Sequence, residues 1–156
     1  LVRLGDDSNF AELHNVGPDP LSEHWSAEHL RALTRHRRLP IKNLLMDQRA
    51  IGGIGNIYAS EMLYRAGIRP RRRAGTLTRR ELEALIVAMR TVLDEALQLG
   101  GSSISDFRDG TGRPGHFQLR LAVYQREGQP CLRCASAIKR LVLSGRSSFY
   151  CPRCQR

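Results

Sequence analysis

The four cysteines of this chain lie within its last 26 residues and form two C-x2-C pairs. Cys131 and Cys134 make the first pair, and Cys151 and Cys154 make the second after sixteen intervening residues. Four thiolates at this spacing can close a tetrahedral zinc site while the intervening segment folds back as a hairpin. Two disulfides or a redox-active C-x-x-C are the alternatives, but a reducing cytosol disfavours disulfides. So short a tail cannot form a sufficient core of its own and needs a cross-link such as a metal ion. The spacing therefore predicts one structural Zn²⁺ with no position open to water.

The stretch IGGIGN, residues 51–56, places three glycines directly before an apolar run with helical spacing. Glycine inside a helix costs roughly 1 kcal/mol relative to alanine, so a cluster of glycines needs a reason in the backbone. A turn between two helices is one reason, because glycine tolerates positive φ. An anion site is another, since a glycine-lined turn before a helix leaves backbone N–H groups accessible. The two interpretations are compatible, and the stretch alone does not name the anion.

Arg146 follows Gly145 at the expected tip of the hairpin between the cysteine pairs. An arginine at such a tip is either solvated or in contact with phosphate. The chain carries 25 Lys and Arg against 15 Asp and Glu, a net charge of +10. Such a charge favours polyanionic partners, with nucleic acid ahead of a membrane surface. In this setting a zinc-stapled hairpin favours phosphate contact, because its tip can enter a groove.

The composition also limits the class of protein. The chain is long enough to bury a core. It contains no run of about 18 apolar residues, and it does not open on a basic region followed by an apolar one. We therefore expect a soluble, cytoplasmic protein that does not enter a membrane. The chain begins at Leu1 without methionine, on a strand-like LVRL that has no partner nearby in sequence. We expect it to be part of a longer protein.

Signals for helices dominate the first two thirds of the chain. Ser26 is placed to cap a helix, and Pro40 directly precedes a short apolar helix. A further helix is expected from Asn56 to Ala66, because apolar residues recur there at helical spacing and Gly67 stands at the position of a C-terminal cap.

The longest helix begins after Thr78, which forms a capping box with Glu81, and ends near Gly100. Its apolar residues make one continuous stripe that should face a core. The members of the stripe are Leu82, Leu85, Ile86, Met89, Val92, Leu93, Ala96 and Leu97.

Short strands are expected after a glycine-rich loop that begins at residue 101. Residues 119–125 alternate between apolar and polar as a strand does, and the chain around SGRS predicts strand, turn and strand. The predicted fold class is therefore mainly α with a small β part, a helical bundle followed by a zinc-binding β-hairpin that is held by the four cysteines.

Three of these segments resemble one known family. IKNLLMDQRAIGGIGNIYASEMLYRAGIRP resembles the helix-two-turn-helix segment of the formamidopyrimidine-DNA glycosylase and endonuclease VIII family. The segments from GGSSISDF to HFQLRLAVYQREGQPC and from CLRCASAIKR to the terminal Arg156 resemble its damage-capping loop and its zinc finger. The similarity runs from about GPDPL to the last residue, with the motifs in the order that the family has.

The resemblance implies a division of the chain. Residues 1–17 would be a remnant strand and linker from a missing N-terminal domain, 18–122 the helix-two-turn-helix domain with a lesion-capping loop at 101–117, and 123–156 the zinc finger. The family's nucleophile is the amine of an N-terminal proline, followed by a glutamate, on a preceding β-sandwich domain. Because this chain opens Leu1-Val2-Arg3, we expect no catalytic residue in it, and binding of DNA without excision.

The resemblance also implies roles for individual residues. Lys42, Asn56 and the turn backbone at Gly53 and Gly55 would hold DNA phosphates beside the damaged nucleotide, and Arg146 would contact the backbone from the finger. The loop would close over an everted oxidised purine. Its candidate residues are Ser103, Asp109, Gly112, Gly115, His116 and Phe117. We therefore expect the start of the helix at Asn56 and the hairpin tip to face the same side.

Some residues depart from the family or have a simpler interpretation. Ser105 and Phe107 stand where the family commonly has arginine and tyrosine, and Gln125 stands where it has glycine. His116 is also compatible with an ordinary solvated histidine. Without the resemblance, a plain N-cap is the favoured interpretation of Asn56. Glu61 is expected to be a helix-surface or packing carboxylate and not a catalyst.

Several functions remain open at this point. The first is the DNA-binding part of a bifunctional glycosylase and AP lyase that repairs oxidised purines such as formamidopyrimidine and 8-oxoguanine, with endonuclease VIII-like pyrimidine specificity as a variant. The second is a stand-alone, non-catalytic module for bent or damaged duplex DNA. The third is an RNA-binding scaffold, because a similar GIG turn occurs in a small-subunit ribosomal protein. For the first two we expect a monomer in the bacterial cytoplasm, associated with the nucleoid.

Overall fold

The computed structural model describes residues 16–100 and 120–156. Within these ranges the chain forms four α-helices, one 3-10 helix and a two-stranded sheet. The elements are α1 (Ala27–Thr34), α2 (Ile41–Leu45), α3 (Asn56–Ala66), the 3-10 helix Ala74–Thr76, α4 (Arg79–Gln98), β1 (Lys139–Leu143) and β2 (Arg146–Tyr150). This confirms the predicted fold class, mainly α with a small β-hairpin. No helix in the described ranges is long and apolar enough to cross a membrane.

The helix ends follow local signals in the sequence. Ser26 Oγ accepts the N–H of His29 at the start of α1. At the start of α4, Thr78 Oγ1 accepts the N–H of Glu81 at 3.1 Å, and Glu81 Oε1 accepts the N–H of Thr78 at 2.9 Å. Gly67 ends α3 at φ +77°, a left-handed conformation that carries no Cβ penalty in glycine. The predicted caps are therefore confirmed.

The helices enclose one apolar core in which α3 packs against α4. Met62 and Leu63 of α3 are fully buried there. Seven of the eight residues in the predicted stripe of α4 are buried as well. The exception is Leu97, which is 69% exposed because it lies at the edge of the stripe in the last turn of the helix.

The glycine turn between α2 and α3 combines close packing with one side-chain clamp. A Cβ on Gly52 would lie 2.9 Å from the carbonyl oxygen of Gly17, so only glycine fits there. Gly53 has φ +83°, which glycine adopts without strain. Gln48 fixes the turn, because its Oε1 accepts the Gly53 N–H at 2.7 Å and its Nε2 donates to the Ile54 carbonyl at 3.1 Å. The sequence predicted the turn but not the clamp.

The two strands form a tight antiparallel hairpin. Lys139 pairs with Tyr150 at the open end, and Leu143 pairs with Arg146 at the closed end. The two turn residues between the strands both have positive φ, as in the hairpin turns whose twist matches that of the strands. Arg146 therefore lies at the tip, as predicted.

A second, smaller core joins the hairpin to the helices. Tyr64 of α3 contributes its ring to this core, and the other members come from the C-terminal part of the chain. Those members are Ala122, Val123, Cys131, Ile138, Phe149 and Cys151. Two of them are cysteines of the predicted zinc site, so the metal site itself forms part of the apolar packing of the finger.

The segment before the first cysteine pair is not the strand that its alternating pattern predicts. Within the described residues 120–125 there is no strand, and residues 122–125 form bends and turns. Their N–H groups at Ala122, Val123 and Tyr124 donate to the carboxylate of Glu61 and not to a neighbouring strand. The prediction was wrong because period-2 alternation identifies which residues are buried, while a strand also needs a partner strand for its backbone.

We predict that Gln125→Gly stabilises the protein by about 1 kcal/mol, since a side chain at this φ costs roughly 1–2 kcal/mol and glycine removes that strain at some entropic cost. Gln125 has φ +58°, and its side chain is exposed. The left-handed backbone also explains why the family commonly has glycine where this chain has Gln125. Urea denaturation, followed by far-UV circular dichroism, measures the change in the free energy of unfolding.

The control for this experiment is Gln125→Ala, which removes the same side-chain atoms and keeps the Cβ. It should not increase stability, because the left-handed backbone remains strained. If both variants are equally more stable than the wild type, the effect does not arise from backbone strain at this position.

Candidate nucleic-acid interface

The start of α2 places Lys42 beneath the hairpin. Pro40 precedes the helix, and the N–H groups of Ile41 and Lys42 donate to the carbonyls of Arg72 and Pro70. The chain at 70–72 thus fixes the orientation of the first turn. The Lys42 side chain is only 1% exposed, an unusual position for a lysine.

The Lys42 ammonium group donates to three acceptors. Its Nζ contacts Asn56 Oδ1, Ser148 Oγ at 2.7 Å and the carbonyl oxygen of Ser147 at 3.4 Å. None of these acceptors is a carboxylate, so the hydrogen bonds are satisfied while the positive charge is not neutralised.

Asn56 connects the start of α3 to the hairpin. It is the first residue of α3, and Gly55 is the N-cap, so the interpretation of Asn56 as a plain N-cap is wrong. Its Nδ2 donates to the carbonyl oxygen of Ser147 at 3.0 Å, next to Arg146 at the tip. The glycine-opened helix start and the arginine tip therefore face the same side, as predicted.

A small cleft opens between α2 and the hairpin tip. It has a volume of about 140 Å³ and is lined by Lys42, Asn43, Met46, Leu143, Ser144 and Arg146. Asn43 Nδ2 donates to Ser144 Oγ at 2.7 Å and ties the tip to α2. Two of the six lining residues are cationic and none is acidic, so the cleft suits an anion.

The electrostatics of the cleft support this conclusion. Burial, together with the nearby charge of Arg146, lowers the pKa of Lys42 to about 8. Both causes disfavour the charged amine in the absence of a counter-ion. A bound anion would offset both of them and raise the pKa again.

The backbone of the glycine turn offers a second set of donors. The Gly53 N–H is already bound to Gln48, so Gly53 shapes the turn. By contrast, the N–H groups of Gly55 and Asn56 have no acceptor among residues 16–100 and 120–156. Unpaired donors are expected in the first turn of a helix, where they attract anions.

Glu61 is not exposed, and its carboxylate is bound to backbone groups. It is fully buried in α3. Its carboxylate accepts the N–H groups of Ala122 at 2.7 Å, Val123 at 2.9 Å and Tyr124 at 2.9 Å. Burial raises the pKa of Glu61, while the three N–H donors oppose that shift. The helix-surface interpretation was wrong, and the packing interpretation understates the role, because this side chain anchors the entry to the finger.

The four cysteines converge as the spacing predicted. Their Sγ atoms all lie within 4.8 Å of one another, with Cys131 and Cys154 at 3.8 Å and Cys134 and Cys151 at 3.4 Å. A tetrahedron with Zn–S bonds of about 2.3 Å has S···S edges of about 3.8 Å, so the set fits Zn²⁺. Because all four positions are thiolates, the metal is structural.

The second knuckle, the C-x2-C segment from Cys151 to Cys154, is held to the helical part of the chain by hydrogen bonds. Gln155, which is fully buried, accepts the Cys151 N–H at 2.8 Å through Oε1 and donates from Nε2 to the Ile68 carbonyl at 2.8 Å. Arg69 donates to the carbonyls of Gln155 at 2.9 Å and Pro152 at 2.6 Å. The finger and the helices are thus joined at the knuckle as well as at the tip.

Sequence reasoning missed several residues that build this interface. Gln48, Glu61 and Gln155 each bind backbone groups, and nothing in their local sequence indicates it. Ser148 carries a weak signal, because a polar residue on the buried face of a short strand needs a partner. The predicted lesion-loop residues Ser103, Asp109, Gly112, Gly115, His116 and Phe117, together with Ser105 and Phe107, lie outside the described residues.

The fold and the site define a class of protein. It is a helix-two-turn-helix bundle in which the tip of a four-cysteine zinc hairpin lies against the start of a helix. Residues 16–108 match the family model of the formamidopyrimidine-DNA glycosylase H2TH domain. Residues 128–156 match the model of the zinc finger found in FPG and IleRS. The chain belongs to the formamidopyrimidine-DNA glycosylase family, and its four cysteines form that family's structural zinc site.

Relatives match almost the whole chain. The formamidopyrimidine-DNA glycosylase of Syntrophotalea carbinolica is 49% identical over 97% of this chain and 56% of its own length. The MutM (Fpg) crystal structure from Thermus thermophilus superposes with a TM-score of 0.89 at 46% identity, covering 99% of this chain and 59% of that one. Lactococcus lactis Fpg, in complex with DNA that contains an abasic site, gives 0.86 at 30% identity over 99% and 57%. The chain thus spans just over half the length of these relatives.

Proposed function

We propose that this chain binds the phosphate backbone of duplex DNA through the cleft between α2 and the hairpin tip. One observation carries the proposal: two cations, Lys42 and Arg146, line the same cleft without a carboxylate. The unpaired N–H groups of Gly55 and Asn56 lie beside Lys42 and add neutral donors. Together they make a site for a phosphate oxygen, in which the two side chains supply positive charge and the backbone N–H groups supply hydrogen bonds.

The names of the relatives support a proposal for the substrate class. The relatives are named for formamidopyrimidine-DNA glycosylase activity, and the Lactococcus lactis protein was solved with DNA that contains an abasic site. We propose that the parent of this chain is a base-excision-repair glycosylase and AP lyase for oxidised purines, acting as a monomer on bent or damaged DNA in the bacterial cytoplasm and nucleoid. Zn²⁺ serves it by holding Arg146 in place.

We propose that residues 18–122 form the DNA-binding domain, with a lesion-capping loop at 101–117, and residues 123–156 the zinc finger. Catalysis would need a proline amine and a glutamate that lie outside these 156 residues, so the chain by itself would bind DNA without excising a base. A stand-alone damaged-DNA-binding module is the second candidate. The two are separated by whether the parent reading frame encodes a further domain that begins Met-Pro-Glu.

To test the phosphate site, we compare Arg146→Ala with wild type for binding to a fluorescent duplex that carries one abasic-site analogue. Loss of one phosphate contact should weaken binding about tenfold and should flatten the slope of log K against log salt by about 0.9. Titrations at several salt concentrations between about 50 and 200 mM give both quantities.

The matched control is Arg80→Ala, which removes the same charge from an exposed position in α4. It should change neither the affinity nor the salt slope by more than a small amount. Equal effects of the two variants would show that only net charge matters and would refute a localised phosphate site. An unchanged slope in Arg146→Ala would also refute it.

A further inference from the structure

The last turn of α3 brings a tyrosine hydroxyl into contact with a zinc ligand. Tyr64 Oη lies 3.2 Å from Cys131 Sγ. Both residues are almost completely buried, with 3% of Tyr64 and 4% of Cys131 exposed. The contact therefore lies in the interior between the helices and the finger, where water does not compete for either atom.

Chemistry fixes the direction of this hydrogen bond. A cysteine that binds Zn²⁺ is a thiolate and has no proton to donate. A phenol with an ordinary pKa of about 10 keeps its proton at neutral pH. The Tyr64 O–H is therefore the donor and the Cys131 sulfur the acceptor.

The surroundings hold the ring in this position. The guanidinium group of Arg133 lies over the Tyr64 ring, with Cζ 4.6 Å from the ring centroid, in a cation–π arrangement. The backbone N–H of the same arginine donates to Cys131 Sγ at 3.4 Å. Cys131 thus receives backbone donors from its own C-x2-C segment and one side-chain donor from α3.

Among the four ligands, Cys131 alone receives a hydrogen bond from the described residues of the helical part. The donors to the other ligand sulfurs come from the finger itself: Ser136 donates to Cys134, and the backbone at Arg153 and Cys154 donates to Cys151. The Tyr64 hydroxyl is consequently a direct link from the helical core to the metal site.

We propose that Tyr64 is a positioning residue for the zinc site, donating its hydroxyl hydrogen bond to the Cys131 thiolate and thereby slowing release of the metal. The bond stabilises negative charge on the sulfur, so that protons and competing chelators displace the zinc less readily. It also fixes the first knuckle against α3. Partners of metal ligands typically change metal affinity by about 10- to 100-fold when removed.

The test is Tyr64→Phe, which removes only the hydroxyl and keeps the ring beneath Arg133. Zinc transfer from the full chain to excess 4-(2-pyridylazo)resorcinol is followed by absorbance. The variant should lose zinc about tenfold faster than the wild type. Its far-UV circular dichroism should be unchanged, because the phenyl ring fills the same space.

A second readout separates hydrogen bonding from packing. In the Co²⁺-substituted protein, the thiolate-to-metal charge-transfer band should shift to lower energy in Tyr64→Phe, since the sulfur lone pairs lose a stabilising donor. A purely structural role of the tyrosine would leave this band in place.

The matched control is Tyr150→Phe. Tyr150 directly precedes the ligand Cys151 and stacks under Arg69, but its hydroxyl makes no hydrogen bond to any described residue. Its loss should alter neither the transfer rate nor the cobalt band. Wild-type transfer kinetics and an unshifted band in Tyr64→Phe would overturn the proposal, as would equal effects of the two variants. The proposal holds whether or not the chain binds DNA.

Discussion

Removal of zinc is expected to unfold residues 128–156 and to leave helices α1 to α4 folded. Thiolate-bound zinc supplies roughly 10–16 kcal/mol of apparent folding free energy in zinc-finger peptides at neutral pH. The smaller core has seven buried members, and Cys131 and Cys151 are two of them, so little apolar burial remains without the metal. The helices have a separate core that contains none of the cysteines.

The measurement combines chelation with far-UV circular dichroism and amide hydrogen exchange read by mass spectrometry. Exchange should become fast in the finger while the peptides of α3 and α4 stay protected. Adding Zn²⁺ back should restore protection, and adding Mg²⁺ should not, because magnesium prefers oxygen ligands. A loss of helical signal in parallel with loss of the finger would show that the two parts form one cooperative unit, contrary to this prediction.

The second large effect is expected at Glu61. Replacing it with alanine leaves the N–H groups of Ala122, Val123 and Tyr124 without their acceptor in a buried site. Each unsatisfied buried donor costs about 1–3 kcal/mol. We therefore expect Glu61→Ala to lower the free energy of unfolding by at least about 3 kcal/mol, measured by urea denaturation, which is a large part of the roughly 5–15 kcal/mol typical of a domain.

Two comparisons test this explanation of Glu61. Glu83→Ala removes a glutamate from the exposed face of α4 and should change stability by less than about 0.5 kcal/mol. Glu61→Gln keeps one acceptor oxygen but directs an NH₂ group at the remaining donors, so its effect should fall between wild type and alanine. If Glu61→Ala is no more harmful than Glu83→Ala, the three hydrogen bonds do not stabilise the fold as argued.

Glu61 also explains how the finger is attached. The carboxylate in α3 replaces the partner strand that residues 122–124 would otherwise need, and it does so at the point where the chain enters the finger. Gln155 at the second C-x2-C pair and Lys42 at the hairpin make further polar links between the finger and the helices. The position of the arginine tip is therefore set by polar contacts as well as by the metal.

The surroundings of Lys42 indicate a role in binding an anion and not a role in the packing of the core. A lysine ammonium buried beside an arginine, without a carboxylate, is destabilising unless an anion arrives. The lowered pKa of Lys42 expresses this cost. A phosphate bound in the cleft would lie close to both positive charges and would offset much of this electrostatic cost, which would add to the free energy of binding.

Much of the fold could be predicted from the sequence because its signals are local. The zinc ligands were identified from spacing alone, since four thiolates within one short tail have few ways to be satisfied. The caps at Ser26 and Thr78 and the helix end at Gly67 were also correct, because each depends on hydrogen bonds or dihedral angles within a few residues. Arg146 was selected from its place at the hairpin tip and the net charge, and Lys42 and Asn56 through the family resemblance; the structure brings all three together.

Only the tertiary structure decided which distant groups meet. The sequence placed Glu61 and Tyr64 on a helix but could not show that one binds the backbone at 122–124 and the other contacts Cys131, both more than 60 residues away. The strand expected at 119–125 is absent from the described residues 120–125 for the same reason. Periodicity reports which face of a segment is buried, whereas the partner of a buried polar group depends on how separate elements pack, and no local pattern encodes that.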